Sequence, residues 1–80
     1  MYYIRATGSN QLGDGTSRWL KIRSFVKYKD EYEVGTVIRG MKKFVTVSPN
    51  WTKYLEFAKG WPGLMPVSLY TVIKHYYREN

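Results

Sequence analysis

The chain has 80 residues and a formal net charge of +7 at pH 7, because 13 Lys and Arg outnumber 6 Asp and Glu. This length suits one hydrophobic core and is too short for two, so a single domain over residues 1–80 is predicted. The hydrophobic content of 44% excludes a disordered chain, the lack of Cys excludes a disulfide framework, and no apolar run reaches the roughly 20 residues of a membrane span.

The first strand is predicted over residues 2–6, and a Gly-rich loop follows over residues 7–17. This loop lacks the Gly-Lys-Ser/Thr ending of a P-loop, so we expect a connection there and no phosphate cradle. The N-terminus lacks the basic segment and apolar segment of a secretory signal, and a cytoplasmic location is therefore expected.

Three further strands are predicted from segments rich in β-branched and aromatic residues: residues 18–28, 32–39 and 43–47. A three-residue turn at 29–31 sets Val26 opposite Val34, and a second turn at Gly40–Met41 sets Val47 beside Val34. This register gathers the apolar side chains on one inner face, which a one-residue slip would scatter. The predicted inner face consists of Leu20, Ile22, Val26, Tyr28, Tyr32, Val34, Ile38, Val45 and Val47.

After Pro49 the apolar residues take a helical spacing: Trp51, Tyr54, Leu55 and Ala58. Gly60 is placed to end this helix, and residues 61–66 are expected to form a rigid connection. Over residues 67–78 a second helix is preferred to a strand, although the residue types also suit a strand, because of the stripe Leu69, Val72, Ile73 and Tyr76. The expected fold class is α+β, a small antiparallel sheet of three or four strands with one face covered by one or two C-terminal helices.

The opposite, outer face of the predicted sheet alternates cations with aromatic rings at two-residue spacing. Single-stranded nucleic-acid binders use this combination, because Lys and Arg hold phosphates while flat rings stack on bases. We therefore expect a nucleic-acid-binding surface, with single strands or loops favoured, formed by Trp19, Lys21, Arg23, Phe25, Lys27, Arg39, Lys42 and Phe44. The alternative is that the rings of this face pack beneath the C-terminal segment or against another subunit.

The sequence gives weaker support to two other classes of function: duplex recognition by a helix-turn-helix, and catalysis or metal binding. Residues 67–74 have some of the character of a helix-turn-helix recognition helix, but the preceding turn is long. His75 is the only His, so neither a multi-His metal site nor an oriented His–nucleophile pair is expected. We predict a protein that is not an enzyme and that holds no cofactor or metal.

The rival hypothesis is a small protein-binding module, such as an inhibitor or accessory factor of the kind that phage and viral genomes encode. Such a module would dock on the acidic surface of a larger machine, and a chain dense in Tyr, Trp and Arg suits an interface rich in hot spots. A membrane is not an expected partner, and the sequence leaves a homodimer open.

Overall fold

The computed structural model describes residues 1–7, 18–48 and 54–77, and these residues form seven strands and one helix. The elements are β1 Tyr2–Ala6, β2 Leu20–Lys21, β3 Ser24–Tyr28, β4 Glu31–Ile38, β5 Met41–Val47, β6 Leu55–Lys59, β7 Met65–Val67 and α1 Leu69–Tyr77. The strands make two antiparallel sheets, one in the order β2-β1-β6-β7 and one in the order β3-β4-β5. The expected α+β class is confirmed, with one C-terminal helix. The predicted loop over 8–17 lies outside the described residues.

One hydrophobic core is shared by both sheets and the helix. In β1 the side chains alternate, so that Tyr2, Ile4 and Ala6 are buried while Tyr3 and Arg5 are half-exposed. This period of two is what a strand with one covered face requires. The core cluster consists of Tyr2, Ile4, Ala6, Leu20, Ile22, Phe25, Val34, Ile38, Val45, Val47, Leu55, Phe57 and Val72.

Residues 20–25 carry the chain from the four-stranded sheet to the three-stranded one. Leu20 and Ile22 are buried, but the next buried side chain is Phe25, three residues later. At the junction the Arg23 N–H donates to the Gly35 carbonyl at 2.7 Å, so β4 takes over the pairing. Two residues separate the buried side chains of Ile22 and Phe25, where a regular strand has one. The alternation of buried and exposed side chains is therefore reversed between β2 and β3.

A buried hydroxyl ties the two sheets together beside this crossing. Thr36 is 2% exposed, and its hydroxyl donates to the Lys21 carbonyl at 2.9 Å. On the other side, the Ile22 N–H donates to the Tyr2 carbonyl at 2.9 Å. These bonds satisfy polar groups that would otherwise be buried without partners.

The turn between β3 and β4 is one residue shorter than predicted. Tyr28 pairs with Glu31 across a two-residue turn, and Phe25 therefore lies opposite Val34. Because a one-residue slip turns a strand over, the predicted places of Phe25 and Val26 are exchanged. Phe25 is buried, whereas Val26 is 42% exposed and Tyr28 is also exposed. The predicted register of this hairpin is wrong for β3, although Ile22, Val34 and Ile38 are buried as expected.

The turn between β4 and β5 lies at Arg39–Gly40, one residue before its predicted place. Both residues have positive φ, 51° and 79°, as the type I′ turns of tight hairpins require. Val45 pairs with Val34 and not with its predicted neighbour Thr36, a slip of two residues. A slip of two keeps each side chain on its face, so Val45 and Val47 are buried as predicted.

The first predicted C-terminal helix is wrong within the described residues, because residues 55–59 form strand β6. Leu55 and Phe57 are buried and Glu56 is half-exposed, which is the alternation of a strand. All five residues of β6 pair with β1, from Leu55 opposite Ala6 to Lys59 opposite Tyr2. Residues 49–53, where that helix would begin, lie outside the described residues.

The second predicted helix is confirmed as α1. Ser68 caps it, since its hydroxyl accepts a hydrogen bond from the Thr71 N–H at 3.2 Å. Val72 is fully buried, and Leu69 and Ile73 pack against the core. The predicted connection 61–66 is shorter than expected because β7 pairs with β6. A helix-turn-helix arrangement is not supported, because strands β6 and β7 precede α1.

The end of α1 closes the core over Phe25. The Tyr76 ring stacks on the Phe25 ring at 5.2 Å, and the Tyr77 hydroxyl donates to the Phe25 carbonyl at 2.9 Å. Burial, and to a lesser extent the neighbouring Tyr2, raises the pKa of Tyr76 above its ordinary value. The phenol therefore stays neutral at physiological pH, and this contact does not change with pH there.

Candidate functional site

The eight predicted site residues do not form one cluster in the structure, and Phe25 is not part of the site. Its side chain is 7% exposed, with the Tyr32 ring at 4.9 Å and the Tyr76 ring at 5.2 Å. A ring enclosed in this way has no face for a base, so the expectation that Phe25 stacks on nucleic acid is wrong. Its role is in the core.

Arg23, Lys42 and Phe44 come together around Gly35 on the outer face of the three-stranded sheet. Gly35 lies in the central strand β4, opposite Ser24 on β3 and Phe44 on β5. A depression of about 280 Å³ lies beside Gly35 and is here called the Gly35 depression. Its lining includes Arg23, Ser24, Gly35, Val37, Lys42 and Phe44.

The charges at this depression are available to an external anion. No carboxylate of the described residues pairs with Arg23 or Lys42, and both side chains are exposed. The Phe44 ring beside them is 59% exposed. Two free cations beside an exposed ring can bind a ligand that is both flat and anionic.

Trp19 and Lys21 lie on the outer side of the four-stranded sheet, next to a cation that the sequence analysis missed. The Arg5 guanidinium carbon is 4.5 Å from the Trp19 ring centroid, and its Nη2 is 3.0 Å from the Glu56 carboxylate. Arg5 is thus already neutralised. Arg5 lies beside Trp19 because β1 pairs with β2, with Tyr3 opposite Lys21. This contact is long-range, and the residues near Trp19 in the sequence do not indicate it.

Part of the predicted interleaving is retained along the extended segment 19–23. Leu20 and Ile22 are buried, so Trp19, Lys21 and Arg23 lie on the side away from the core. We call the set that results the basic–aromatic surface: Trp19, Lys21, Arg23, Lys42 and Phe44.

Lys27 and Arg39 do not join this surface. Lys27 pairs with Tyr32, so it belongs to the inward-facing row of β3, although its own side chain is exposed. Arg39 lies in the turn before β5. Both add to the positive charge of the protein, and neither lines the Gly35 depression.

The same outer face exposes apolar side chains, of which Val26 and Tyr28 were predicted to lie in the core. Val26 is 42% and Tyr28 56% exposed, and Val37 is exposed further along β4, where it pairs with Lys42. Glu31 and Glu33 pair with Tyr28 and Val26, at the end of the sheet away from Lys42. The face therefore has a basic end, where Val37 pairs with Lys42, and an acidic end, which also carries Val26 and Tyr28.

The described residues contain no group of three or more His, Cys, Asp and Glu that could hold a metal ion. His75 is exposed, and its ring lies 4.6 Å from the Tyr2 ring on the surface of α1. Tyr70 and Lys74 lie near it, and no carboxylate from the described part of the chain lines that groove.

We expect His75→Gln to leave both the fold and nucleic-acid binding unchanged, because the imidazole contacts no residue of the basic–aromatic surface. Circular dichroism and an oligonucleotide binding assay measure the two properties. A loss of activity with unchanged stability would contradict this and would reopen a catalytic role.

No family model matches the chain, and neither a curated protein nor a solved structure is found to be similar to it. Within the described part of the chain, no helix has the length and apolar character needed to cross a membrane.

Proposed function

We propose that the protein binds single-stranded nucleic acid through the basic–aromatic surface. The observation that carries the proposal is the 59% exposed ring of Phe44 beside Arg23 and Lys42, which no described carboxylate neutralises. Cations hold the phosphates of a strand, while an exposed ring stacks on a base without regard to its identity. We place this activity in the cytoplasm, as expected from the sequence.

Single strands fit this surface better than a duplex. A base stacks on a protein ring only when its own face is free, and duplex bases are stacked on one another. Lys21 and Arg23 are two residues apart in the chain, and Lys42 lies with Arg23 at the Gly35 depression, so a flexible single strand can bring successive phosphates to them. The net charge of +7 also attracts any polyanion to the protein from a distance.

We expect the affinity for a labelled single-stranded oligonucleotide to fall steeply with salt. Each phosphate contact contributes a slope of about −0.7 in log K against log[salt] on single strands, so contacts by Lys21, Arg23 and Lys42 give about −2. Phe44→Ala is expected to weaken binding by roughly 1–3 kcal/mol with little change in slope, because the ring carries stacking and no charge. Lys42→Gln is expected to flatten the slope by about 0.7. Fluorescence anisotropy over a salt series measures both quantities.

Matched controls are available on α1. Tyr70 is 63% exposed with the Lys74 ammonium 5.4 Å from its ring centroid, yet both lie outside the basic–aromatic surface. Tyr70→Ala and Lys74→Gln remove the same kinds of group and should change affinity much less than their counterparts. If the wild-type protein shows no salt-sensitive binding at about 50 mM salt, the proposal fails.

The second candidate function is docking on a protein partner. Its support is the apolar part of the outer face, where Val26, Tyr28 and Val37 are exposed together with Phe44. Exposed contiguous apolar side chains are typical of protein-binding sites. An acidic partner would complement Arg23 and Lys42, and failure to bind oligonucleotides would favour this function.

A further inference from the structure

Gly35 occupies a position where backbone geometry does not call for glycine. Its φ lies outside the left-handed range, unlike those of Gly40 and Gly63. Glycine in the middle of a central strand weakens the strand, because it packs nothing and loses more conformational freedom on folding. Such a glycine often marks a place where a ligand approaches the backbone closely.

Neighbouring side chains occupy the position where a Gly35 side chain would begin. A Cβ at this position would overlap the Ser24 hydroxyl and would lie 3.2 Å from Cε1 of Phe44. Ser24 can turn away by rotating its side chain, so the steric demand for glycine inside the protein is modest. The larger effect of the glycine is that the Ser24 hydroxyl and the edge of the Phe44 ring can lie close over its backbone, where they line the Gly35 depression.

We propose that the Gly35 depression holds one unpaired base, with the adjoining phosphate held by Arg23 and Lys42. This inference rests on the proposed function and specifies which part of the nucleic acid the depression binds: one base and its adjoining phosphate. Phe44 supplies the stacking wall, and the Ser24 hydroxyl and the Gly35 backbone line the base of the depression.

The size and chemistry of the depression favour a single base. Its volume of about 280 Å³ is just below the roughly 300–1,000 Å³ of pockets that enclose small molecules. Among the described residues the Ser24 hydroxyl has no hydrogen-bond partner, so it is free to bond a base edge. The Arg23 N–H and the Gly35 carbonyl are already bonded to each other. With one free hydroxyl to read a base, the site tolerates all four bases.

The experiment fills the floor of the depression while keeping the cations. The double variant Ser24→Ala/Gly35→Ala removes the hydroxyl that the new Cβ would overlap, and Ser24→Ala alone is its matched control. Ser24→Ala/Gly35→Val adds a larger, β-branched side chain that suits a strand. Thermal unfolding by circular dichroism confirms that each variant is folded. The ligand is an oligo(dT) in which one base is replaced by fluorescent 2-aminopurine, compared with the same strand in a duplex.

We expect the emission of 2-aminopurine to change when the wild-type protein or Ser24→Ala binds the single strand. Relative to Ser24→Ala, the double variants should bind about fivefold more weakly or worse, the valine variant most, and should lose the emission change. The salt slope should stay the same, because Arg23 and Lys42 remain. The duplex should bind without the emission change.

Two results would overturn the inference, and they are distinguishable. If the wild-type protein binds with the expected salt dependence but the filled variants match Ser24→Ala in affinity and emission, the depression holds no base and the proposed function stands. If the wild-type protein binds no oligonucleotide at low salt, the inference and the proposed function fail together.

Discussion

Phe25→Ala is expected to lower the free energy of unfolding by about 3–5 kcal/mol, whereas its neighbour Val26→Ala should lower it by less than about 1 kcal/mol. Phe25 is 7% exposed and packs against Tyr32, Tyr76 and Tyr77, so its truncation leaves a cavity between the sheet and α1. Val26 is 42% exposed on the outer face. Truncating it removes little buried surface and opens no enclosed cavity.

The pair of variants discriminates between two registers that differ by one residue. With a three-residue turn after Tyr28, Val26 would be inside and Phe25 outside, and the ranking of the two costs would be reversed. Urea denaturation followed by tryptophan fluorescence or circular dichroism gives both values. Small domains are stable by about 5–15 kcal/mol, so the Phe25→Ala protein is expected to be close to unfolding.

The length of that turn could not be read from the sequence. Lys29 and Asp30 form the turn, and Lys29 adopts a φ of 50°, which residues other than Gly, Asn and Asp take only rarely. Without an Asn-Gly or Asp-Gly pair, the sequence gives no signal for a two-residue turn. The apolar residues suit either register, because Phe25 and Val26 are both apolar neighbours.

The inner faces of β4 and β5 were predicted correctly although their pairing was not. Val34 and Val45 are buried in either pairing, since a slip of two residues leaves the alternation intact. Helix α1 was predictable because Leu69, Val72 and Ile73 make a stripe that only a helix gathers on one side. The buried faces of β4 and β5 were therefore predictable because both pairings bury the same side chains, and α1 was predictable because its spacing fits a helix and not a strand.

The candidate site was partly predictable for the same reason. Arg23, Lys42 and Phe44 belong to the predicted set and do lie together. Lys42 and Phe44 remain on the predicted face of β5 because its pairing is shifted by two residues, which leaves each side chain on the same side of the sheet. Gly35 could not be singled out, since the predicted register placed Ser24 opposite Thr36 and not opposite Gly35. Arg5 was missed because it reaches Trp19 only through the pairing of β1 with β2.

The second large effect is expected at Phe57, in the segment whose apolar spacing predicted a helix. Phe57→Ala should lower the free energy of unfolding by about 3–5 kcal/mol, and Tyr54→Ala by about 1 kcal/mol. Phe57 is 4% exposed and lies opposite Ile4 in the centre of the four-stranded sheet, whereas Tyr54 is 36% exposed. The same urea titration measures both variants.

A helix over residues 51–60 would give the opposite ranking, because Tyr54 would lie on the buried stripe and Phe57 outside it. Strand β6 prevails because β1 needs a partner along its whole length: β2 pairs with only two of its residues, and β6 pairs with five. Unpaired buried backbone groups cost more than the few tenths of a kcal/mol per residue by which local propensities differ. If Tyr54→Ala proves the more damaging variant, residues 55–59 do not form a strand paired with β1.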